Sequence, residues 1–201
     1  MAPHKVIVFG PTGAVGSSAA RTAHALGAHV VLAMRDTSKS IPGLSSSEES
    51  SGNYSRYTAD LTDAASVSAV VQKTDSKHAF IYHTEPDSDG MLSTITALQK
   101  GGIELVVFLS SFSIQGPIRE VPEKDAIPWV HARVEVNLEN VFGQGNYVAV
   151  RPGSFASNNL QYLEGIKKGE VSVWKPDATV DCITPEDIGQ VAGTVLVKGV
   201  P

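Results

Sequence analysis

Apolar and polar residues alternate along this chain with two periods. Short apolar runs at 6–9, 30–34, 78–83, 104–110 and 147–151 recur between longer stretches in which apolar residues return every three or four positions. The runs predict buried strands of a parallel sheet, and the stretches predict helices covering it. A weaker strand is expected around 56–59 and a seventh over "VSVW", 171–174. Helices are expected over 17–26, 64–73, 91–100 and 128–142, and a last one begins at "TPED", 184–187. Gly27 suits the end of the first helix, Thr62 the cap of the second and Pro128 the first turn of the fourth. Thr184 suits the cap of the last, with acids beside its dipole. Val130, Val134, Leu138, Val141 and Phe142 share one face of the fourth, which predicts that this face packs on the sheet. The alternation implies an open, doubly wound α/β fold in a single domain over 1–201. "SIPGLSSSEESSGN", 40–53, reads as a polar loop.

Composition narrows the function without naming it. The chain has 201 residues, 42% of them hydrophobic, and a net charge of −5, enough for one α/β domain with a real core. An isoelectric point near 5.6 argues against nucleic acid, because phosphate backbones want a basic face. No apolar run approaches the ~20 residues that cross a bilayer. "MAPHKVIVFG" enters a strand without an apolar leader, so the expectation is a cytoplasmic protein with no membrane contact. Cys182 is the only cysteine, so no disulfide forms within the chain, and a small buried hydrophobe is its expected role. His4, His24, His29 and His78 have no ligand-like spacing, and no metal site is expected.

The chemistry begins at "VFGPTGAVG". Gly10, Gly13 and Gly16 stand three apart, after the first strand and at the opening of a helix of small residues. A diphosphate there needs close backbone approach and the amides of a helix N-terminus. Gly10 permits the tight turn, Gly13 removes a Cβ that would meet the phosphates, and Gly16 lets the helix pack near the strand. Thr12, Ala14 and Val15 complete the expected loop. Strand two ends in "LAMRDTSK", with Arg35 where an NAD site usually carries an acid. Arginine makes bidentate, charge-assisted contacts with a 2′-phosphate, assisted by Ser38 or Lys39, which points to NADP. Should the strand end later, Asp36 takes the acid's place instead. Asp60 in "TADLTD" either reaches the adenine edge, with Leu61 beside the ring, or caps its own turn.

Together these residues resemble the NmrA-like branch of the atypical short-chain dehydrogenase/reductases, over nearly the whole chain. "VFGPTGAVG", "LAMRD" and "ADLTD" look like the family's phosphate loop, NADP-selecting strand end and adenine-side turn. "VVFLSSFS", "RPGSFASN" and "ITPEDIGQVA" look like its fifth strand, its sixth strand with the following loop, and its late helix. The resemblance implies a Rossmann-like fold, bound NADP(H), a small-molecule substrate and a homodimer through helices flanking the fifth strand. It also implies a substrate-side lobe, here reduced to 153–201 or continued by further chain.

One departure bears on mechanism. Catalytic members of the superfamily carry Tyr-x-x-x-Lys on the helix after strand five, where the tyrosine handles the substrate's proton and the lysine holds the nicotinamide ribose. The matching residues here are Trp129 and Arg133. An indole N–H does not titrate, and an arginine is no general acid near neutral pH, although Arg133 retains the charge to hold a ribose. Candidates for the missing proton work are His83 at the end of strand four and His131 on the helix, the latter otherwise a packed or Glu135-paired histidine. Ser111, next to Ser110 at the end of strand five, is the candidate donor to substrate. The resemblance implies an NADPH-dependent reductase of a quinone-like or conjugated carbonyl compound. A redox sensor that binds NADP(H) without turnover, and a redox-neutral isomerase or cyclase, are the alternatives.

Overall fold

The structure is a computed structural model describing residues 4–85, 89–173, 177, 179 and 181–199. Six parallel strands form one sheet: β1 (Lys5–Phe9), β2 (His29–Met34), β3 (Tyr54–Thr58), β4 (His78–Tyr82), β5 (Leu105–Leu109) and β6 (Tyr147–Val150). Their order is β3-β2-β1-β4-β5-β6, so the chain reverses direction across the sheet between β1 and β4. That reversal opens a crevice at the strands' carboxyl ends, where open α/β sheets bind ligands.

Alternation within β1 divides the core. Ile7 and Phe9 face the layer of α3 (Ala64–Thr74), α4 (Leu92–Gly101) and α5 (Ala126–Phe142). Val6 and Val8 face α1 (Ala14–Ala25) and α7 (Pro185–Lys198). Both faces are covered, which is why the central strands read as unbroken apolar runs. The helix pair α1 and α7 packs unusually close. A Cβ on Gly189 would run into Ser18, and one on Gly193 into Ala19 O and Thr22, so only hydrogens let the backbones meet.

Several expectations need correction. Helix α1 begins at Ala14 and not at 17, because Gly13 already serves as its N-cap. Asp63, not Thr62, caps α3 by accepting from the Ala65 amide, while the Thr62 hydroxyl turns back to Asp60. Helix α5 opens at Ala126 and not at 128, with Pro128 in its first turn as expected. The serine-rich segment is not a plain loop: α2 (Ser46–Ser51) forms there, closed by a capping box between Ser45 and Glu48. Residues 171–173 form no strand, and Trp174 lies outside the described residues. In their place β7 (Ser154–Phe155) and β8 (Cys182–Ile183) make a small parallel pair, which leaves Cys182 exposed rather than buried. Between them run a 3-10 turn over Ala156–Tyr162 and α6 (Leu163–Lys168). Helix α7 lies against α1 and belongs to the layer on the sheet.

Candidate active site

Two cavities at the carboxyl edge meet at Gly10 and Tyr82. The first, about 270 Å³, is lined by Ala33, Arg35, Asp60, Leu61 and His83 among others. The second, about 340 Å³, runs along Gly13, Ala14, Val15 and Gly16 to Phe80, Leu109, Phe155 and Pro185. Gly10 and Tyr82 line both. One end of the crevice thus carries charge and the other is apolar.

The three glycines do different work. Gly10 sits at φ +68°, donates its amide to Ala33 O at 3.1 Å and lies under Tyr82, whose ring would be 2.5 Å from any added Cβ. Gly16 is closed by the fold itself, since a Cβ there would overlap Gly10 O. Gly13 is exposed, its φ of −83° suits any residue, and a Cβ would meet nothing nearer than Gly10 O at 3.5 Å. Nothing in the protein requires a glycine there, whereas a group lying on the loop would. The first-turn amides of α1 have no acceptor within their helix, and their residues Ala14, Val15 and Gly16 line the second cavity.

At the charged end β2 stops at Met34, so Arg35 is the first residue beyond it and is exposed into the first cavity. Asp36 turns away: its Oδ1 accepts from the amide and hydroxyl of Ser38, bonds that hold its carboxyl below the usual range. Asp60 lines the cavity and also caps its own turn, accepting from the Thr62 amide and hydroxyl at 2.9 and 2.8 Å. Those two bonds, with the Arg35 charge behind them, keep its carboxyl ionised well below the ordinary value. Leu61 is buried in the core while its carbonyl accepts from Thr94. Burial raises the Tyr82 phenol.

The proton-handling candidates divide. His83 and His131 come together with ring centroids 5.5 Å apart, and Phe108 lies 5.9 Å from His131. Burial, then the His83 charge, lowers His131 from 6.5 to about 4, so it is neutral near pH 7, with its Nδ1 buried and unpartnered. Glu135 does not pair with it. That carboxylate is 1% exposed and takes the Ser110 hydroxyl at 2.5 Å and the Arg151 guanidinium at 2.9 and 2.5 Å. Ser111, beyond it, shares a hydrogen bond with Ser113 at 2.8 Å.

Trp129 and Arg133 open elsewhere. The Arg133 guanidinium lies 4.5 Å from the Trp129 ring centroid, and both line a third depression with Asp89, Ile118 and Asn137. The structure does not bring Arg133, Ser111, His131 or Thr12 into the lining of either cavity of the crevice. Sequence reasoning passed over Tyr82 and the Glu135–Arg151 pair. The pair had a signal: an acid on the apolar face of α5, between Val134 and Leu138, needs a partner, and Arg151 follows a strand that ends beside it.

The comparisons agree with this geometry. Residues 10–196 match the model of the NAD(P)H-binding family. The nitrogen metabolite regulation-like protein bik4 of Gibberella fujikuroi is 43% identical over 98% of this chain, which spans 62% of that protein. The NADPH-dependent quinone oxidoreductase QOR2 of Escherichia coli, solved with NADPH, superposes with a TM-score of 0.76 at 16% identity, over 98% of this chain and 65% of its own. The Citrobacter sp. triphenylmethane reductase, solved with NADP(H), gives 0.69 at 15% identity, over 96% and 65%. Among the described residues no helix is long and apolar enough to cross a membrane. Fold, crevice and family model coincide, and the chain belongs to the NAD(P)H-binding family, of NmrA-like type.

Proposed function

We propose that this chain binds NADPH along the crevice and reduces a small, strongly electrophilic acceptor of the quinone or conjugated carbonyl class. The observation that carries the reading is the pair of cavities joined at Gly10 and Tyr82, charged at one end and apolar at the other. Their order along the sheet edge matches the adenosine and nicotinamide halves of a dinucleotide. Gly13 and the first amides of α1 receive the diphosphate, Arg35 the 2′-phosphate and the Asp60–Leu61 turn the adenine side. NADPH supplies a hydride when bound. The chain's own contribution is to hold the acceptor at the apolar end against Leu109 and Phe155, with the water-poor surroundings that orientation requires. An electrophilic acceptor asks little of a general acid, which fits a site without Tyr-x-x-x-Lys. His83, which lines the charged cavity, and its neighbour His131 are the candidate pair for passing a proton, and Ser111, just past the end of β5, carries the candidate donor hydroxyl.

A second reading, an NADP(H) sensor without turnover, is favoured by Trp129 and Arg133 lying off the crevice and by the regulation-like name of the bik4 relative. Calorimetric titration with NADPH and NADP⁺, followed by a screen of quinones and enones for loss of NADPH absorbance, separates the two. Similar affinities and turnover support the reductase. A strong preference for one redox state with no turnover supports the sensor, and no binding of either overturns both.

A further inference from the structure

We propose that Arg56 and Glu49, both outside the crevice, set the preference for the 2′-phosphorylated cofactor by fixing the loop that presents Arg35. The proposal rests on the reading of Arg35 as the 2′-phosphate ligand and adds the device that holds it in place.

Arg56 is a strand residue of β3, yet its side chain gathers three segments. Nη1 donates to Thr37 O at 2.6 Å and to Lys39 O at 2.7 Å. Nε and Nη2 donate to the two carboxylate oxygens of Glu49 at 2.5 and 2.7 Å. Both side chains are largely buried, 26% and 17% exposed. The loop leaving β2 is therefore tied at 37 and 39 from below. It is also closed on itself by Asp36 and Ser38, and anchored at its far end by Ile41, 3% exposed. Arg35 stands between the end of β2 and this pinned turn, so its backbone has little freedom.

Glu49 gives the serine-rich segment a purpose. The capping box of Ser45 and Glu48 winds residues 46–51 into α2, and the helix aims Glu49 at Arg56. Only a planar guanidinium can serve two carbonyls on one edge and a carboxylate on the other; a lysine ammonium has the charge without the fork. Because Glu49 offsets the charge of Arg56, its action on a bound phosphate is through position and not through field. Arg56 is thus a positioning residue.

The test titrates the full chain with NADPH and with NADH, reading nicotinamide fluorescence, for the native protein, Arg56→Lys, Glu49→Gln and Arg35→Ala. In Arg56→Lys the NADPH dissociation constant should rise roughly tenfold, the effect of one misplaced charged hydrogen bond, while NADH affinity stays within about twofold. Glu49→Gln should also weaken NADPH selectively, even though it uncovers a positive charge near the loop. Tighter NADPH binding in Glu49→Gln would mean that Arg56 acts as a charge, and would overturn the proposal. Equal losses for both cofactors in Arg56→Lys would make the pair merely structural, and an unchanged NADPH-to-NADH ratio in both variants would remove it from specificity. If Arg56→Lys does not fold, Glu49→Gln alone decides. Arg35→Ala keeps the two levels apart. A native ratio there defeats the 2′-phosphate reading and this proposal with it. A collapsed ratio there, beside native ratios in the other two, defeats this proposal only.

Discussion

The two halves of the carboxyl edge are built differently. Along the glycine loop of the nucleotide side, position is set by backbone: Gly10 and Gly16 admit no Cβ, the Gly10 amide rests on Ala33 O, and a helix starts immediately after its cap. On the substrate side, beyond β5, position is set by side chains. One buried carboxylate, Glu135, holds Ser110 and Arg151, and past it Leu160 and Ile166 stand 68% and 61% exposed. Geometry fixed by backbone changes little with single substitutions, whereas geometry fixed by side chains is altered by them.

The largest effect is therefore expected from one side chain on the substrate side. Arg151→Met leaves the buried Glu135 carboxylate facing only the Ser110 hydroxyl. Removing the partner of a buried carboxylate costs about 3 kcal/mol, and urea unfolding should show it as a lower midpoint. The double variant Glu135→Leu with Arg151→Met should regain most of the loss, because no uncompensated charge remains. No recovery in the double variant would assign the loss to packing and weaken the contrast drawn between the halves.

The glycine loop sharpens the same contrast within the nucleotide side. Gly16→Ala forces Cβ against Gly10 O, and overpacking of that kind costs about 1–3 kcal/mol. Gly13→Ala meets no such obstacle. Its unfolding midpoint should match the native protein, while NADPH affinity falls roughly tenfold or more for the lost approach of one phosphate. Equal midpoints and equal affinities in Gly13→Ala would show that no ligand lies on that glycine.

This division also decides what the sequence could say. The parallel sheet, its two covered faces and the glycine loop were legible because each follows from local rules: apolar runs of strand length, small residues at the opening of a helix, Arg35 one step past a strand. Helix α2 was hidden because serine-rich composition masks a capping box whose geometry depends on Glu48 returning to Ser45. The Trp129–Arg133 pair was read onto the crevice from its match to the Tyr-x-x-x-Lys positions of the resembling family, and i and i+4 residues share a face whichever way the helix is turned. Which face meets the crevice is a tertiary matter, fixed by Val134, Glu135 and Leu138 against the sheet. The Arg56 network joins residues from three segments, and no local pattern announces it.

A smaller effect should separate the half-buried His131 from solvent-facing histidines. His131 titrates at about 4 in the folded chain, against its ordinary 6.5. Between those values the unfolded chain binds a proton that the folded chain does not, so stability is complete above pH 6.5 and declines as pH falls towards 4. His131→Phe, an apolar ring beside Phe108, removes that linkage. Its urea midpoint should fall less steeply than the native one across this window, the slopes differing by at most about one bound proton. Parallel curves would mean that His131 is not held neutral by burial.

The smallest effect tests the boundary between the halves. Arg133 stacks on Trp129 in a depression that shares no lining residue with either cavity of the crevice. Arg133→Ala should cost only about 0.5–1 kcal/mol, the worth of a cation–π contact with access to water. NADPH affinity should stay within about twofold. A tenfold loss with an unchanged midpoint would bring Arg133 back to the nicotinamide end, and would place α5 on the cofactor side of the division.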